Sequence, residues 1–306
     1  MKLRNILMAA SLLMLSACGD DNDDKQVVEQ VTGPTEVTLI SCDILTDEAT
    51  QAGDLSWKKR RVALLGMLET EKPDIMCMQG QYWNQVVYLE QKLAGTYTIV
   101  DHAVEGDDSE KGRHNSVMYR SDKYTLEKEG RFWLSQTPNS KTNPWAATDN
   151  ERRIATWLLL KDNSTRARFY VVSTGLNTGD LAEDMQARVN SADLIVTKFQ
   201  EFMETDGIDI PVILAGNMNA SYAADDTRRD CLKPYLAWME SVRDEAPTTD
   251  TKPSYNGLGR PASGVCLVPD HIFIYKAQAL EFATLDGNYG VPYISDHNPI
   301  SCKVKF

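Results

Sequence analysis

An acidic residue precedes a histidine near the end of the chain, in the segment Ser295-Asp296-His297. The segment lies shortly before a strand-like run at residues 301–306. A histidine that is paired with a carboxylate can transfer a proton or hold a positive charge at a reacting centre. The same three residues would also suit a polar turn before an edge strand, so their meaning depends on the residues that fold around them.

Strand-like and helix-like segments alternate along the chain from Glu36 onward. Short runs of apolar and β-branched residues predict strands, and the spacing of Val62, Leu65 and Leu68 predicts a helix. The predicted strands cover residues 37–44, 74–78, 97–100, 115–120, 124–132, 154–160, 168–173, 211–215, 270–275 and 301–306. The predicted helices cover residues 57–70, 81–93 and 181–205. This pattern predicts a sandwich of two sheets that is flanked by helices.

Eight short sequence blocks come in an order that resembles the endonuclease/exonuclease/phosphatase family, which has the fold of DNase I. The blocks are KPDI at 72–75, NSVMYR at 115–120, FWLSQTP at 132–138, RIATW at 153–157, PVILAGNMN at 211–219, SYNG at 254–257, DHIF at 270–273 and SDH at 295–297. The resemblance covers roughly residues 37–306. It implies an α/β fold, a four-layer α/β/β/α sandwich of two mixed sheets. The FWLS block resembles the exported branch of sugar-related phosphatases or nucleases.

The resemblance also implies roles for four of the polar residues. Asp270 matches the acid that orients the C-terminal histidine, here His297. Asp296 matches a carboxylate near the metal, and Asn219 matches the asparagine that contacts the phosphate. The family's reaction is the in-line attack of water on a phosphoester, assisted by Mg²⁺, which prefers hard oxygen ligands.

Four positions depart from the family's pattern, and all of them remove charge or proton chemistry. Gly80 stands where the main metal glutamate is expected, and Gly175 where a histidine is expected. Asn217 replaces the aspartate that orients or deprotonates the nucleophile, and an amide takes no proton at neutral pH. Gln136 replaces a further acid. Losing one member of such a cooperating set commonly costs several orders of magnitude in rate.

Asp43 is a departure that adds a carboxylate, at a position that is usually asparagine in the family. One hypothesis is that Asp43 and Asp296 hold Mg²⁺ or another divalent cation in place of the glutamate that is missing at Gly80. The alternative is that Asp43 is a solvated residue of an open cleft and that metal binding is weak or absent.

Two functions follow from this inventory. In the first, a catalytically impaired domain keeps the cleft, including Asn217, Asn219, Asp270 and His297, and binds a glycan, a phosphorylated compound or a protein there. In the second, the domain is an active metal-dependent phosphoesterase with a rearranged site. The sequence favours the first function, because both the metal glutamate and one histidine are replaced.

The N-terminal residues resemble a bacterial lipoprotein signal. Lys2 and Arg4 precede a short apolar run, and residues 15–18 (LSAC) resemble a lipobox. This predicts a signal peptide at 1–17, lipidation of Cys18, and an acidic flexible linker at 18–36 before the domain at 37–306. Residues 19–24 resemble the acidic tag that directs some lipoproteins to the cell surface, and a plain spacer is the alternative. We therefore expect an outer-membrane lipoprotein, attached to the membrane through its lipid only.

The charge of the chain is strongly acidic, at −12. Removal of residues 1–17 takes away two basic residues, Lys2 and Arg4, and no acidic ones, so the charge becomes −14. Because proteins bind the nucleic-acid backbone through Lys and Arg, nucleic acid is not an expected partner. The basic run at residues 58–61 is predicted to form the exposed first turn of a helix.

Three further expectations concern single residues. Cys231 and Cys266 are the cysteine pair most worth testing for a disulfide, which an exported protein permits. Trp145 lies in a loop that could reach the cleft. Asn256 lies in a long loop over the cleft and could contact a ligand.

Overall fold

The computed structural model of the protein describes residues 30–47, 52–106, 110–221, 223 and 226–306. The predicted signal peptide, Cys18 and the acidic run at 19–24 lie outside the described residues. Within the described ranges, no helix combines the length and the apolar character that crossing a membrane requires.

Twelve strands are found in the described residues, and they form two six-stranded sheets. The strands are β1 (Glu36–Asp43), β2 (Ile75–Tyr82), β3 (Tyr97–Ala103), β4 (Arg113–Arg120), β5 (Tyr124–Trp133), β6 (Ile154–Asp162), β7 (Arg168–Gly175), β8 (Val212–Asn217), β9 (Glu240–Ser241), β10 (Asp270–Tyr275), β11 (Gln278–Thr284) and β12 (Ile300–Lys305). Sheet 1 has the order β11-β12-β1-β2-β4-β3, and sheet 2 has the order β5-β6-β7-β8-β10-β9. Both are mixed, because β1 pairs with β2 in parallel and β7 pairs with β8 in parallel.

Among the described residues, four of the five α-helices cover the outer faces of the two sheets, and the last contributes Val242 to the apolar cluster between them. The helices are α1 (Trp57–Glu71), α2 (Trp83–Leu93), α3 (Ala182–Asp206), α4 (Lys233–Leu236) and α5 (Val242–Glu245). In α1, Leu64 and Met67 pack with Ile40 and Met76 on the outer face of sheet 1. In α3, Phe199 packs with the outward-facing residues of sheet 2. The predicted α/β four-layer sandwich is therefore confirmed.

Strict alternation along the strands decides which residues lie between the two sheets. In β8, Ile213 and Ala215 belong to the apolar cluster between the sheets, whereas Val212 and Leu214 belong to the cluster beneath α3. Successive side chains of a strand point to opposite faces, so Asn217 continues the inward-facing series. The same alternation, continued from Leu39 in β1, turns Asp43 toward the gap between the sheets.

The predicted elements differ from the observed ones in several places. The helix predicted at 81–93 begins at Trp83, because β2 continues to Tyr82, which pairs with Arg113 after a register shift. Strand β11 was not predicted; it is an edge strand that pairs only with β12 within its sheet, and its residues do not form a continuous apolar run. The end of the predicted linker also contacts the domain, since Thr35 exchanges backbone hydrogen bonds with Phe306.

Arg60 is buried, which contradicts the expectation that residues 58–61 form an exposed turn. Its guanidinium group donates to the carbonyl oxygens of Leu55, Leu45 and Ile294 at 2.8, 2.9 and 3.1 Å. The segment after β1 and the segment before β12 are thereby tied to α1. A buried arginine is accommodated only where carbonyls or acids receive its donors, and a basic run in sequence does not show which member has them.

Candidate functional site

The candidate site is a cleft of about 360 Å³ at one edge of the sandwich. Strand register brings two rows of residues to this edge. In sheet 2, Asn217 lies opposite both Gly175 and Asp270. In sheet 1, Gln79 lies opposite Asp43. The polar residues that sequence places at the strand ends are therefore brought to a single edge.

Asp270 and His297 form a buried pair, as the sequence predicts. His297 Nδ1 lies 2.8 Å from Asp270 Oδ2, and the two residues are 8% and 3% exposed. Burial lowers the pKa of His297, but the charge and hydrogen bond of Asp270, together with the charges of Asp43 and Asp296, raise the pKa to about 10. The ring is therefore a fixed cation at neutral pH and is a poor proton acceptor.

Asp43, Asn217 and Asn219 form a hydrogen-bonded chain across the cleft floor. Asn217 Nδ2 donates to Asp43 Oδ2 at 2.7 Å, which joins the two sheets. Asn217 Oδ1 accepts from the backbone N–H of Asn219 at 2.9 Å, and the Asn219 amide donates to Leu176 O at 2.8 Å. Burial raises the pKa of Asp43, and the charges of Asp296 and Asp270 raise it further. The charge of His297 and the hydrogen bond from Asn217 lower this pKa, but their effect is smaller.

Asp296 completes the set of predicted residues at the cleft. Its Oδ1 lies 3.0 Å from Ser295 Oγ, which also lies 2.7 Å from the Asp43 carbonyl oxygen. Asn256, which was expected to be able to reach a ligand, does not line the cleft; its side chain donates to Ser295 O and Asn298 Oδ1 and so holds this loop. The neighbouring Tyr255 lines the cleft in its place.

Gly80 and Gly175, which replace the glutamate and the histidine of the family's pattern, differ in the space around them. A Cβ at Gly80 would lie 3.0 Å from Asp43 Oδ1, and the φ of Gly80 is +80°. Asp43 therefore already occupies the start of the space that a side chain at 80 would need. A Cβ at Gly175 would meet no heavy atom closer than 3.9 Å. Gly175 leaves open space where the family's histidine is expected.

The candidate metal ligands are two carboxylates, which is close to the smallest set that holds Mg²⁺ in proteins. No group of three or more His, Cys, Asp or Glu side chains is placed to hold a metal within the described part of the chain. Asp43 and Asp296 do line the same cleft, and Mg²⁺ at phosphate sites can be held by one or two carboxylates plus water. Asp43 and Asp296 would be the residues that hold a cation there, and one oxygen of each already contacts a neighbouring side chain.

Four arginines at the cleft were not predicted from the sequence. Arg188 of α3 is fully buried, Arg153 and Arg228 are 12% and 17% exposed, and Arg113 is 45% exposed. All four line the cleft with His297. The acids among the lining residues are Asp43, Asp180 and Asp296. The cleft thus gathers four guanidinium groups within an acidic chain, and three of them also form ion pairs with acids: Arg113 with Glu151, Arg153 with Asp149, and Arg228 with Asp226.

The signals for these arginines were weak. Arg153 begins one of the family-like blocks and Arg113 lies just before another, so a role in the site could have been predicted for both. Arg188 comes from the middle of a long helix, where its Nη1 donates to the carbonyls of Asn177 and Gly179 at 3.0 and 2.8 Å. No sequence motif marks Arg188 or Arg228.

Two single-residue expectations were wrong. Trp145 does not line the cleft and packs against the apolar cluster beneath α3. Cys231 and Cys266 form no disulfide: Cys231 is buried with Sγ 3.5 Å from Met185 O, whereas Cys266 is a free thiol at the cleft.

Comparison with known proteins identifies the family. The sequence profile of the endonuclease/exonuclease/phosphatase family matches residues 49–297. The chain therefore belongs to the endonuclease/exonuclease/phosphatase family, which confirms the resemblance seen in its sequence blocks. No curated protein sequence matches the chain.

Solved structures share the fold over nearly the whole of their length. A family protein from Bacteroides thetaiotaomicron is 23% identical with a TM-score of 0.77, covering 90% of this chain and 96% of its own. One from Bacteroides vulgatus is 24% identical with a TM-score of 0.76, covering 88% and 98%. A mannosyl-6-phosphatase from Bacteroides thetaiotaomicron is 23% identical with a TM-score of 0.76, covering 88% and 100%. At these identities the likeness shows the fold.

The charge of His297 generates a pH prediction. Because its folded-state pKa of about 10 lies above the ordinary value of about 6.5, the stabilisation from its protonated form is complete below about pH 6.5 and is lost as pH rises through 10. We expect the His297 ring to stay protonated at pH 8, measured by ring ¹⁵N NMR with His297→Gln used to assign the signal. A titration midpoint near 6.5 would contradict the charged state.

Proposed function

We propose that this domain binds a phosphorylated small molecule in the cleft and hydrolyses it slowly or not at all. One observation carries the proposal: four arginines line one cleft together with His297, which is paired with Asp270; they are Arg113, Arg153, Arg188 and Arg228. Guanidinium groups recognise phosphate through charge-assisted and often bidentate hydrogen bonds.

The impairment follows from groups that the cleft lacks or has altered. Gly80 supplies no carboxylate for a metal, and Asn217 cannot accept a proton from water. Both ends of the Asn217 side-chain amide are also hydrogen-bonded already: Nδ2 donates to Asp43, and Oδ1 accepts from the backbone N–H of Asn219. Binding groups are therefore retained where catalytic groups are replaced.

Small molecules fit the charge of the chain better than nucleic acid does. Four arginines line the cleft, whereas the whole chain carries −12, so a long polyanion would meet repulsion outside the cleft. One structural relative is a mannosyl-6-phosphatase, which supports a sugar phosphate as the ligand. Glycan and protein ligands remain the alternatives to a phosphorylated compound.

Binding can be tested by titrating the purified protein with mannose 6-phosphate and inorganic phosphate in a calorimeter. We expect Arg113→Gln to weaken binding by about three- to tenfold, because a charge-assisted hydrogen bond is lost from a partly exposed site. Arg168→Gln is the matched control, since Arg168 is 37% exposed and paired with Glu127 outside the cleft. Absence of binding, or equal losses in both variants, would refute the binding site.

The same preparation tests the impairment. We expect no turnover of p-nitrophenyl phosphate or bis-p-nitrophenyl phosphate with Mg²⁺, Mn²⁺ or Ca²⁺ above that of a His297→Ala control. Metal-dependent turnover that disappears in the control would show that the site is active.

A second candidate function is an active metal-dependent phosphoesterase with a rearranged site. The observation in its favour is that Asp43 Oδ1 stands 3.0 Å from the Cβ position of Gly80, so one carboxylate has approached the place of the missing glutamate. Asp43 and Asp296 would hold the ion, which when bound supplies a Lewis acid for a phosphoryl oxygen.

Metal affinity separates the two functions. If Asp43 and Asp296 hold the ion, Asp43→Asn lowers the affinity for Mg²⁺ or Ca²⁺ at least tenfold, because one of two carboxylate ligands becomes neutral. Asp180→Asn, which changes an exposed acid on the cleft wall, should leave the affinity unchanged. If wild type and both variants bind the ion with the same dissociation constant, millimolar or weaker, the second function is refuted.

We further propose that Cys18 is lipidated and anchors the domain to the outer membrane, with the acidic segment as its tether. The lipobox-like residues 15–18 support this. Cys18→Ser should abolish labelling by radioactive palmitate and move the protein from the membrane fraction to the soluble fraction. Retained labelling would exclude Cys18 as the anchor.

A further inference from the structure

A second pocket, of about 490 Å³, lies beside the cleft at the same edge of the sandwich. Tyr82 at the end of β2 lines it, and so does Arg113 at the start of β4, which lies opposite Tyr82 in sheet 1. The other walls come from the segment between β3 and β4, with Val104 and Glu105, and from residues 150–152 before β6. We call this space the side pocket.

Arg113 connects the side pocket with the cleft, because it lines both. It is 45% exposed, and its Nη1 lies 3.4 Å from Oε2 of Glu151, which lines the side pocket. A small cavity of about 50 Å³ is lined by residues of both spaces, among them Arg113, Arg152 and Asn217. The cleft and the side pocket are therefore neighbouring parts of one groove, and a ligand that is held in the cleft can extend past Arg113.

The carboxylate of Glu105 is held in place on the wall of the side pocket. Lys141 Nζ lies 2.8 Å from Glu105 Oε2, and Arg152 Nη1 lies 3.2 Å from each of the two oxygens. The hydrogen bond from Lys141 lowers the pKa of Glu105. A Cβ at Gly112 would lie 3.3 Å from Glu105 Cγ, so bare backbone packs against the side chain there. Because the carboxylate is fixed before a ligand arrives, a hydrogen bond to it costs little ordering.

The walls of the side pocket offer donors and acceptors without an excess of charge. Four charged side chains line it, two positive and two negative: Arg113, Arg152, Glu105 and Glu151. Guanidinium groups only donate hydrogen bonds, ionised carboxylates only accept them, and the exposed amide of Asn150 does both. Among the lining residues, apolar surface comes mainly from Val104 and the ring of Tyr82.

This set of side chains favours one kind of group over two others. A second phosphate would bring negative charge against Glu105 and Glu151. An apolar group would displace the water that solvates the four charged side chains and would replace none of its hydrogen bonds. A hydroxyl-rich group can donate to the carboxylates and accept from the guanidinium groups. A neutral sugar residue therefore fits the side pocket best.

We propose that the side pocket is a subsite for a neutral sugar residue that is joined to the phosphorylated group in the cleft. The ligand is accordingly a phosphorylated oligosaccharide, an inference that rests on the proposed binding of phosphate in the cleft. The volume of the side pocket lies within the range of about 300–1,000 Å³ that is usual for small-molecule sites. Glu105 and Asn150 line the side pocket and neither the cleft nor the small cavity, so they serve this subsite alone.

The test compares three ligands by calorimetry on the purified protein: mannose 6-phosphate, a mannobiose that carries a 6-phosphate on its non-reducing mannose, and mannobiose without phosphate. Wild type should bind the phosphorylated mannobiose at least tenfold more tightly than mannose 6-phosphate, because the second mannose adds hydrogen bonds in the side pocket. Mannobiose without phosphate should bind at least tenfold more weakly than the phosphorylated form, since it lacks the charged group that the cleft holds.

Two variants change the side pocket and leave the cleft intact. Glu105→Gln keeps the shape of the side chain and removes its charge. Asn150→Gly removes the amide at a residue whose φ of +46° glycine readily adopts. Each should lower the affinity for the phosphorylated mannobiose about three- to tenfold and leave that for mannose 6-phosphate within twofold. Glu201→Gln is the matched control and should change neither affinity, because Glu201 pairs with Lys198 on α3 and lines neither the cleft nor the side pocket.

Three outcomes would overturn the subsite. If wild type binds mannose 6-phosphate but the second mannose adds less than tenfold in affinity, the side pocket holds no sugar and only the subsite is refuted. If Glu105→Gln and Asn150→Gly weaken both phosphorylated ligands equally, the two residues have a structural role only. If wild type binds neither phosphorylated ligand, the proposed function is refuted and the subsite with it.

Discussion

The face-to-face packing of the two sheets is the constraint on which the rest of the structure depends. Apolar residues such as Leu39, Ile213 and Ile272 fill the space between the sheets and remove it from water. At one edge this apolar filling gives way to Gln79 and Ser173, whose side chains bond across the gap at 2.9 Å. The cleft begins where that polar layer ends, so its shape is set by the register of the strands beneath it.

The parts of the site that follow strand register could be predicted from the sequence. Asp270 and Asn217 were recognisable because they fall in sequence blocks that resemble the family, and alternation along the strand then decides which way each side chain points. The arginines could not be predicted in this way. Arg188 reaches the cleft from α3 and Arg228 from a 3₁₀ segment at Thr227–Leu232, and neither position follows from a local pattern.

Burial of polar residues was the other property that the sequence did not reveal. Arg60 and its neighbour Lys59 are similar in sequence, yet Arg60 is buried among carbonyl oxygens and Lys59 is exposed. His114 and Asp101 lie on adjacent strands, and only the pairing of β3 with β4 brings them together. Such contacts depend on which strands become neighbours, and the hydrophobic period of a single segment carries no information about that.

The position of β1 in sheet 1 has a consequence for how the chain folds. β1 lies between β2 and β12, with Glu36 opposite Lys305. The middle of this sheet is therefore incomplete until residues 300–305 have left the ribosome, and pairing over such a separation in sequence is slow. Until then the unpaired edge of β1 is open to other strands. A late-closing sheet of this kind would fit the export that we propose for this chain, because the sheet cannot be completed before its last strand is available.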